Sequence, residues 1–405
     1  MIIDDEFSSP ARQGVLGIVV GIMTVLWSGA SFGAPPVVVI DHYPASSGMY
    51  IGSPSLVVLP DGSYRASHDL FGPKSTEYQK AVSIVFSSTD QGRSWKKISD
   101  ISGQFWSTLF AHRGMLYFLG TDKHHGNAII RRSADGGITW TTPLDANTGL
   151  LRGDGQYHCA PMAVVEHGGR LWRPMEIRDP PEGWGSTYCA GMLSASSDAD
   201  LLAATNWTFS NFLPGNTNWL AGEFGGWLEG NAIVTREGRM LDILRVETPG
   251  FPERAAMVDV SDDGRKASFN PASGFIHFPG GAKKFTIRYD PESDAYWSLS
   301  SVVPEPAPAK KRPGIIRNNL ALTRSRNLRD WEVRSIVLHH GDTARHGFQY
   351  VDWQFEGNDL IAVCRTASDD ESGGAHNYHD ANFLTFHRIL DFRTKSMADG
   401  PPSQN

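Results

Sequence analysis

Apolar runs that break at a short polar turn and resume beyond it recur six times along the chain: "PSLVVLPDGSYRASH", "STLFAHRGMLYFLG", "PMAVVEHGGRLWRPME", "NAIVTREGRMLDILR", "FTIRYDPESDAYWSLS" and "YVDWQFEGNDLIAVCR". The runs are too short for helices, and the turns between them are rich in Gly, Asp and Pro, which together predict antiparallel hairpins. A weaker pair of strand-like runs follows each hairpin, so the repeating unit reads as four strands. The last unit, ending in "ANFLTFHRI", lacks its fourth strand. "PPVVVID" (residues 35–41) is predicted to supply it and close a ring, because closure removes exposed sheet edges. The fold expected is all-β, a six-bladed β-propeller, with seven blades as the alternative. The Pro-rich residues 302–314 read as a loop inside the fifth unit.

The turns between the outer strands carry a pattern of their own. "STDQGRSW" (88–95) and "SADGGITW" (133–140) share Ser-x-Asp-x-Gly-x-x-Trp, and "SDDGRKASF", "SRNLRDW" and "SSDADLLAATNW" read as decayed copies. Asp can accept hydrogen bonds from turn amides, Gly takes a left-handed conformation without penalty, and Trp packs where the next strand begins. The motif resembles the Asp-box of the sialidase superfamily, where it marks the turn between the third and fourth strands of propeller blades. The resemblance implies a propeller, with the boxes on its outer rim and the chemistry elsewhere.

Other positions extend the likeness. That family opens one inner strand with a Glu and places an Arg sixteen residues later; "EGNAIVTREGRMLDILR" offers Glu229 and Arg245. The next Arg, ahead of an Asn-Leu strand and a box, is matched by Arg317 in "RNNLALTRSRNLRDW", and the nucleophilic Tyr by Tyr350 in "QYVDW". Two positions depart. Gly52 stands where the family has its first Arg, and "TEYQKAVSIVFSS" holds no Asp to serve as general acid before the first box. A planar guanidinium grips a carboxylate bidentately. With one of three missing, the resemblance implies a glycosidase other than an ordinary sialidase.

Further candidates lie where inner strands meet the ligand face of a propeller. "SYRASHDLFG" puts His68 beside Asp69, an acid–base pair suited to neutral pH. Trp227 offers a flat ring for a sugar, and Asn231 follows Glu229 on the same strand. His158, Gln349, Asp352, His376, His379 and Asp380 complete the set of expected substrate contacts. The chemistry expected is exo-acting hydrolysis of a terminal sugar from an acidic or polar glycan. Tyr350, activated by Glu229, would attack the anomeric carbon; His68 or Asp69 would protonate the leaving group, and Arg245 and Arg317 would hold the sugar. One alternative is lyase-type elimination at a uronic acid, such as a rhamnose–glucuronate linkage, with His68 moving the proton. Another is a carbohydrate-binding propeller without catalysis.

Composition narrows the surroundings. A net charge of −7 over 405 residues argues against a nucleic-acid partner, which a basic face would mark. Three cysteines are too few for a disulfide framework, although a 159–189 bridge stays open, and Cys364 reads as buried filler. No cofactor and no catalytic metal is expected, with a structural Ca²⁺ in "DDESGG" left open. Residues 14–27 form an apolar run shorter than the ~18–20 residues that span a bilayer. Small residues follow it, so residues 1–34 read as a secretory signal, 35–392 as the propeller and 393–405 as a tail. The protein is expected to be secreted or periplasmic, to meet a glycan there, and to have no membrane contact after cleavage.

Overall fold

The computed structural model describes residues 38–303 and 312–400, part of a unit spanning residues 33–405. The expected signal segment, most of the Pro-rich loop and the end of the tail lie outside the described residues. All six predicted hairpins are present. They pair Ser55–Val58 with Tyr64–Phe71, Phe105–His112 with Met115–Thr121, and Val165–His167 with Arg170–Pro174. Gly226–Val234 then pairs with Met240–Glu247, Thr286–Asp290 with Ala295–Ser301, and Gly347–Glu356 with Asp359–Ala367. Val38–His42 runs antiparallel to Phe383–Ile389, so the first described strand completes the last sheet.

The strands form seven antiparallel sheets. Two of them divide the third repeat: one contains Tyr157–His158, Glu176–Arg178 and Tyr188–Ala190, the other Val165–His167, Arg170–Pro174 and Met192–Ser196. The Met175 amide still donates to Gly191 O across the break at 3.0 Å. Apolar side chains fill the space between neighbouring sheets, as where Leu56, Ile84, Ile361, Val363 and Phe386 meet. No helix among the described residues is long and apolar enough to cross a membrane.

The two complete Ser-x-Asp-x-Gly-x-x-Trp segments fold alike, each between the third and fourth strands of its sheet. Asp90 accepts from the Ser94 amide at 2.9 Å and Asp135 from the Thr139 amide at 2.9 Å. Trp95 and Trp140 donate their indole N–H groups to Gly92 O and Gly137 O. In the decayed copy, Trp331 does the same to Leu328 O. The three cysteines are buried free thiols, so the 159–189 bridge is not formed. The start of the expected tail is anchored by Arg393, whose guanidinium pairs with Asp290.

Three inner strands share a defect at the same level. Their pairing slips between Phe105 and Thr108, between Leu228 and Asn231, and between Gln349 and Asp352. Each bulge holds a non-glycine residue in the left-handed region: Trp106 (φ 48°), Glu229 (φ 59°) and Tyr350 (φ 55°). Such conformations cost roughly 1–3 kcal/mol and re-aim the side chain, which is why they concentrate at functional sites. Two residues on, a polar side chain pins the bulged strand to the next sheet. Thr108 accepts from the Met162 amide (2.9 Å), Asn231 from the Ile287 amide (3.0 Å) and Asp352 from the Leu56 amide (2.8 Å).

Candidate functional site

Glu229 and Tyr350, lifted by these bulges, meet arginines from the neighbouring strands. Arg245 Nη1 donates to Glu229 Oε2 at 2.8 Å, and its other nitrogen pairs with Glu247. Burial pushes the Glu229 carboxyl up, but Arg245 and then His158 outweigh it and hold the acid below its ordinary range. Arg317 donates to Gln349 Oε1 at 2.5 Å and lies 5.6 Å from the Tyr350 ring centre. A third guanidinium, Arg365, lies 5.0 Å from that ring and 4.4 Å from Phe71. Neither Arg317 nor Arg365 has a carboxylate within ion-pair distance among the described residues, although both are buried.

Sequence reasoning missed Arg365. It sits on the strand paired with the Tyr350 strand, fifteen residues after the tyrosine, much as Arg245 follows Glu229. That repeat of the spacing was the available signal. Burial, with Arg317 nearby, brings its pKa down to about 10. Lys284 is another missed residue. Its ammonium donates to Val351 O at 2.6 Å, fixing the carbonyl of the residue after Tyr350, and burial lowers its pKa to about 8.

A second acidic centre adjoins the first. His158 Nδ1 lies 2.8 Å from Glu176 Oε2, and both residues are buried. Glu176 Oε1 accepts the amide of Gly230, the residue immediately after Glu229, at 3.1 Å. Glu176 was also missed, because the third repeat breaks at Met175 and so hid which residue reaches the centre. Two carboxylates joined through the amide next to one of them suit general acid and base or nucleophile roles in glycoside chemistry.

The remaining expected residues divide by position. Asp69 is buried and accepts from the Trp106 amide at 2.8 Å and from Ser83 Oγ, so it braces the first bulge; burial raises its pKa to about 7. His68 faces the other way. Its Nε2 is 2.9 Å from Asp41 on the closing strand, its Nδ1 is 3.0 Å from Asp69 O, and its ring stacks on Phe86. Trp227 is fully enclosed by Trp219, Phe224 and Phe269 and donates to Tyr188 O, which leaves no ring face for a sugar. Asn231 and Asp352 are occupied as the pins described above.

Gln349 bridges outward. Besides accepting from Arg317, it donates to Tyr378 O and His379 O, tying residues 376–380 to the Tyr350 strand. In that loop His376 and His379 both contact Asp380 at 2.9 Å. Burial and Arg365 lower the His379 pKa to about 3.

A cavity of about 300 Å³ opens above this cluster, lined by Arg245, Arg317, Arg312, Glu247, Trp184 and Tyr378. A wider one, about 750 Å³, lies among residues 163–167, 232–236 and 287–289, at the opposite ends of the same inner strands and away from these groups. Among the described residues no group of three or more His, Cys, Asp or Glu is placed to hold a metal ion. In "DDESGG", Asp370 is committed to His42 and to the amides of Ser372 and Gly374.

No protein-family model matches the chain. An extracellular exo-α-(1→5)-L-arabinofuranosidase of Streptomyces avermitilis is 38% identical over 82 residues, 20% of this chain and 16% of that protein. The match thus spans about a sixth of the relative's length. The α-L-arabinanase of Penicillium chrysogenum complexed with arabinobiose superposes with a TM-score of 0.54 at 13% identity, over 88% of this chain and 98% of that one. A Trypanosoma rangeli sialidase in complex with the inhibitor DANA gives 0.51 at 15%, over 85% of this chain and 55% of that one. At such identities the likeness is one of fold. The chain has a sialidase-like, all-β architecture, and these neighbours are glycoside hydrolases.

Proposed function

We propose that the protein is an exo-acting glycoside hydrolase that releases a terminal sugar from an acidic or otherwise polar glycan. The observation that carries this reading is the pair of strained bulges that lift Glu229 and Tyr350 among three guanidiniums, Arg245, Arg317 and Arg365. Counting the two sheets of the third repeat as one interrupted blade makes the ring a six-bladed propeller, with this cluster at one mouth of its axis. Residues 1–34 act as an export signal and residues 35–392 as the catalytic propeller, which works outside the cytoplasm without a cofactor.

In the hydrolysis, Tyr350 Oη attacks the anomeric carbon while its proton passes to Glu229. Arg317 and Arg365 beside the ring favour the developing phenolate. Glu176, braced by His158, protonates the departing oxygen; a water then displaces Tyr350 from the anomeric carbon and gives a proton to Glu176, while Glu229 returns the first proton to Tyr350 Oη.

A second reading is favoured by Glu176 itself. If the anomeric carbon bears no carboxylate, as in an arabinofuranoside, the pair Glu176 and Glu229 serves without Tyr350 as nucleophile. Elimination is less supported, because His68 turns to Asp41 and not to the Glu229–Tyr350 cluster.

The test is release of methylumbelliferone from sialoside, glucuronide and arabinofuranoside substrates. Glu229→Gln is expected to lower kcat at least about 100-fold on whichever substrate is cleaved. Tyr350→Phe separates the readings: inactivity supports the phenolic nucleophile, while activity retained alongside an inactive Glu176→Gln supports the carboxylate pair. Wild-type silence on all three substrates and on oligosaccharides would instead favour a binding propeller.

A further inference from the structure

Beside the His158–Glu176 pair stands a wall of rings to which none of these roles applies. Trp106, itself on a bulge, packs 4.5 Å from both His158 and His124. His158 stacks on Tyr188 at 4.5 Å, and the Tyr188 hydroxyl meets His125 Nε2 at 2.9 Å. These rings are buried or nearly so, but two others rise from separate loops into solvent. Tyr78 is 64% exposed and stacks on His124, while Trp184 is 51% exposed and meets His158, His125 and Tyr188 edge-on. An exposed Trp that meets four rings, His124, His125, His158 and Tyr188, is a contact surface rather than core.

Its position gives it a task. Trp184 and Gly185 also line the 300 Å³ cavity that holds Arg245 and Arg317. The indole therefore stands on the boundary between the cationic cavity and the aromatic wall, and reaches Glu176 through the His158 ring. Behind the wall are carboxylates: Glu176, and Glu77 at 3.6 Å from His124. Burial keeps the His125 imidazole well below its usual pKa, hence neutral. One guanidinium, Arg178, held by Gln156, acts on Tyr78, His125 and Tyr188 against these two acids. An anionic group on this side would still meet more negative than positive charge, whereas the C–H face of a neutral sugar would lie on Trp184 without that repulsion.

Resting on the hydrolase reading above, we propose that Trp184 and Tyr78 form the seat for the leaving-group side of the substrate, and that this seat takes an uncharged sugar unit. The bond to be cleaved then lies at Trp184, over Glu176, with the released terminal sugar in the arginine cavity.

The experiment compares substrates that share a terminal sugar and differ in what leaves: arabinotriose, 4-nitrophenyl arabinofuranoside and arabinofuranosyl fluoride, with sialyllactose, 4-nitrophenyl sialoside and sialyl fluoride as a second series. Trp184→Ala is expected to lower kcat/KM for the oligosaccharide about tenfold, the scale of a lost stacking platform, while fluoride hydrolysis changes less than about twofold. Equal loss on the fluoride would overturn the proposal, as would full activity on the oligosaccharide. A larger loss on the nitrophenyl substrate than on the oligosaccharide would overturn its choice of a sugar in favour of an aromatic occupant. Tryptophan fluorescence titrated with lactose and arabinotriose needs no turnover, so it separates failure of the wall from failure of the hydrolase reading. Quenching in the wild type that is absent from Trp184→Ala supports the seat, and no quenching in either overturns it.

Discussion

Gly230 is pressed between two acids. Its amide donates to Glu176, and a Cβ at this position would come 2.0 Å from Asp242 Oδ1. Neither oxygen of Asp242 finds a hydrogen-bond partner among the described residues, and burial, followed by Glu176, raises its carboxyl well above the ordinary range. Gly230→Ala is therefore expected to cost about 1–3 kcal/mol of stability, typical of overpacking, and to displace Glu229 with loss of activity. Asp242→Ala in the same chain should return most of the stability; urea unfolding of the single and double variants measures this. Asn231 makes the contrasting case. As a pin to the Ile287 amide, its loss in Asn231→Ala should cost about 1–3 kcal/mol for the buried amide left unpaired. KM should stay unchanged, and a large rise in KM would mark it as a substrate contact instead.

At the scale of the strand, each bulge needs a brace. Asp69 supplies one for Trp106 and Glu176 one for Glu229. Asp69 carries a pH signature. Its folded pKa of about 7 lies above the ~3.9 of an unfolded Asp, so between these values the folded chain binds the extra proton. Its contribution to stability is complete below about pH 4 and is lost as pH rises through 7. Asp69→Asn keeps a neutral side chain, so its Tm should fall less than that of the wild type between pH 5 and pH 8, values that bracket the titration. Parallel Tm curves for the two proteins would contradict this. The bulges also explain what the sequence could and could not convey. Glu229 and Tyr350 stood out because a family pattern marks strand openings. Alternation along a strand cannot say that an extra residue will redirect it, so the sequence points Asn231 and Asp352 at a ligand when both are pins; Trp227, ahead of its bulge, is instead claimed by the rings of distant segments.

For the whole molecule, the repeat was legible because six hairpins and their turns obey local rules, and closure followed from counting strands. What stayed hidden depends on contacts between distant segments: the broken third repeat, the turning of His68 toward Asp41, and the convergence of Arg365 on Tyr350. Closure is itself testable. Removing residues 1–42 deletes the strand paired with Phe383–Ile389 and should lower Tm well below that of a chain lacking only residues 1–34. Equal Tm values would mean that the closing strand contributes little. The central claim is that this ring carries a hydrolytic site built on Glu229. The most direct measurement is mass analysis of products from capped acidic and neutral oligosaccharides, incubated with the wild type and Glu229→Gln in isotopically labelled water. The account predicts a free terminal sugar that carries one labelled oxygen and depends on Glu229. An unsaturated sugar without label, or cleavage that survives Glu229→Gln, would contradict it.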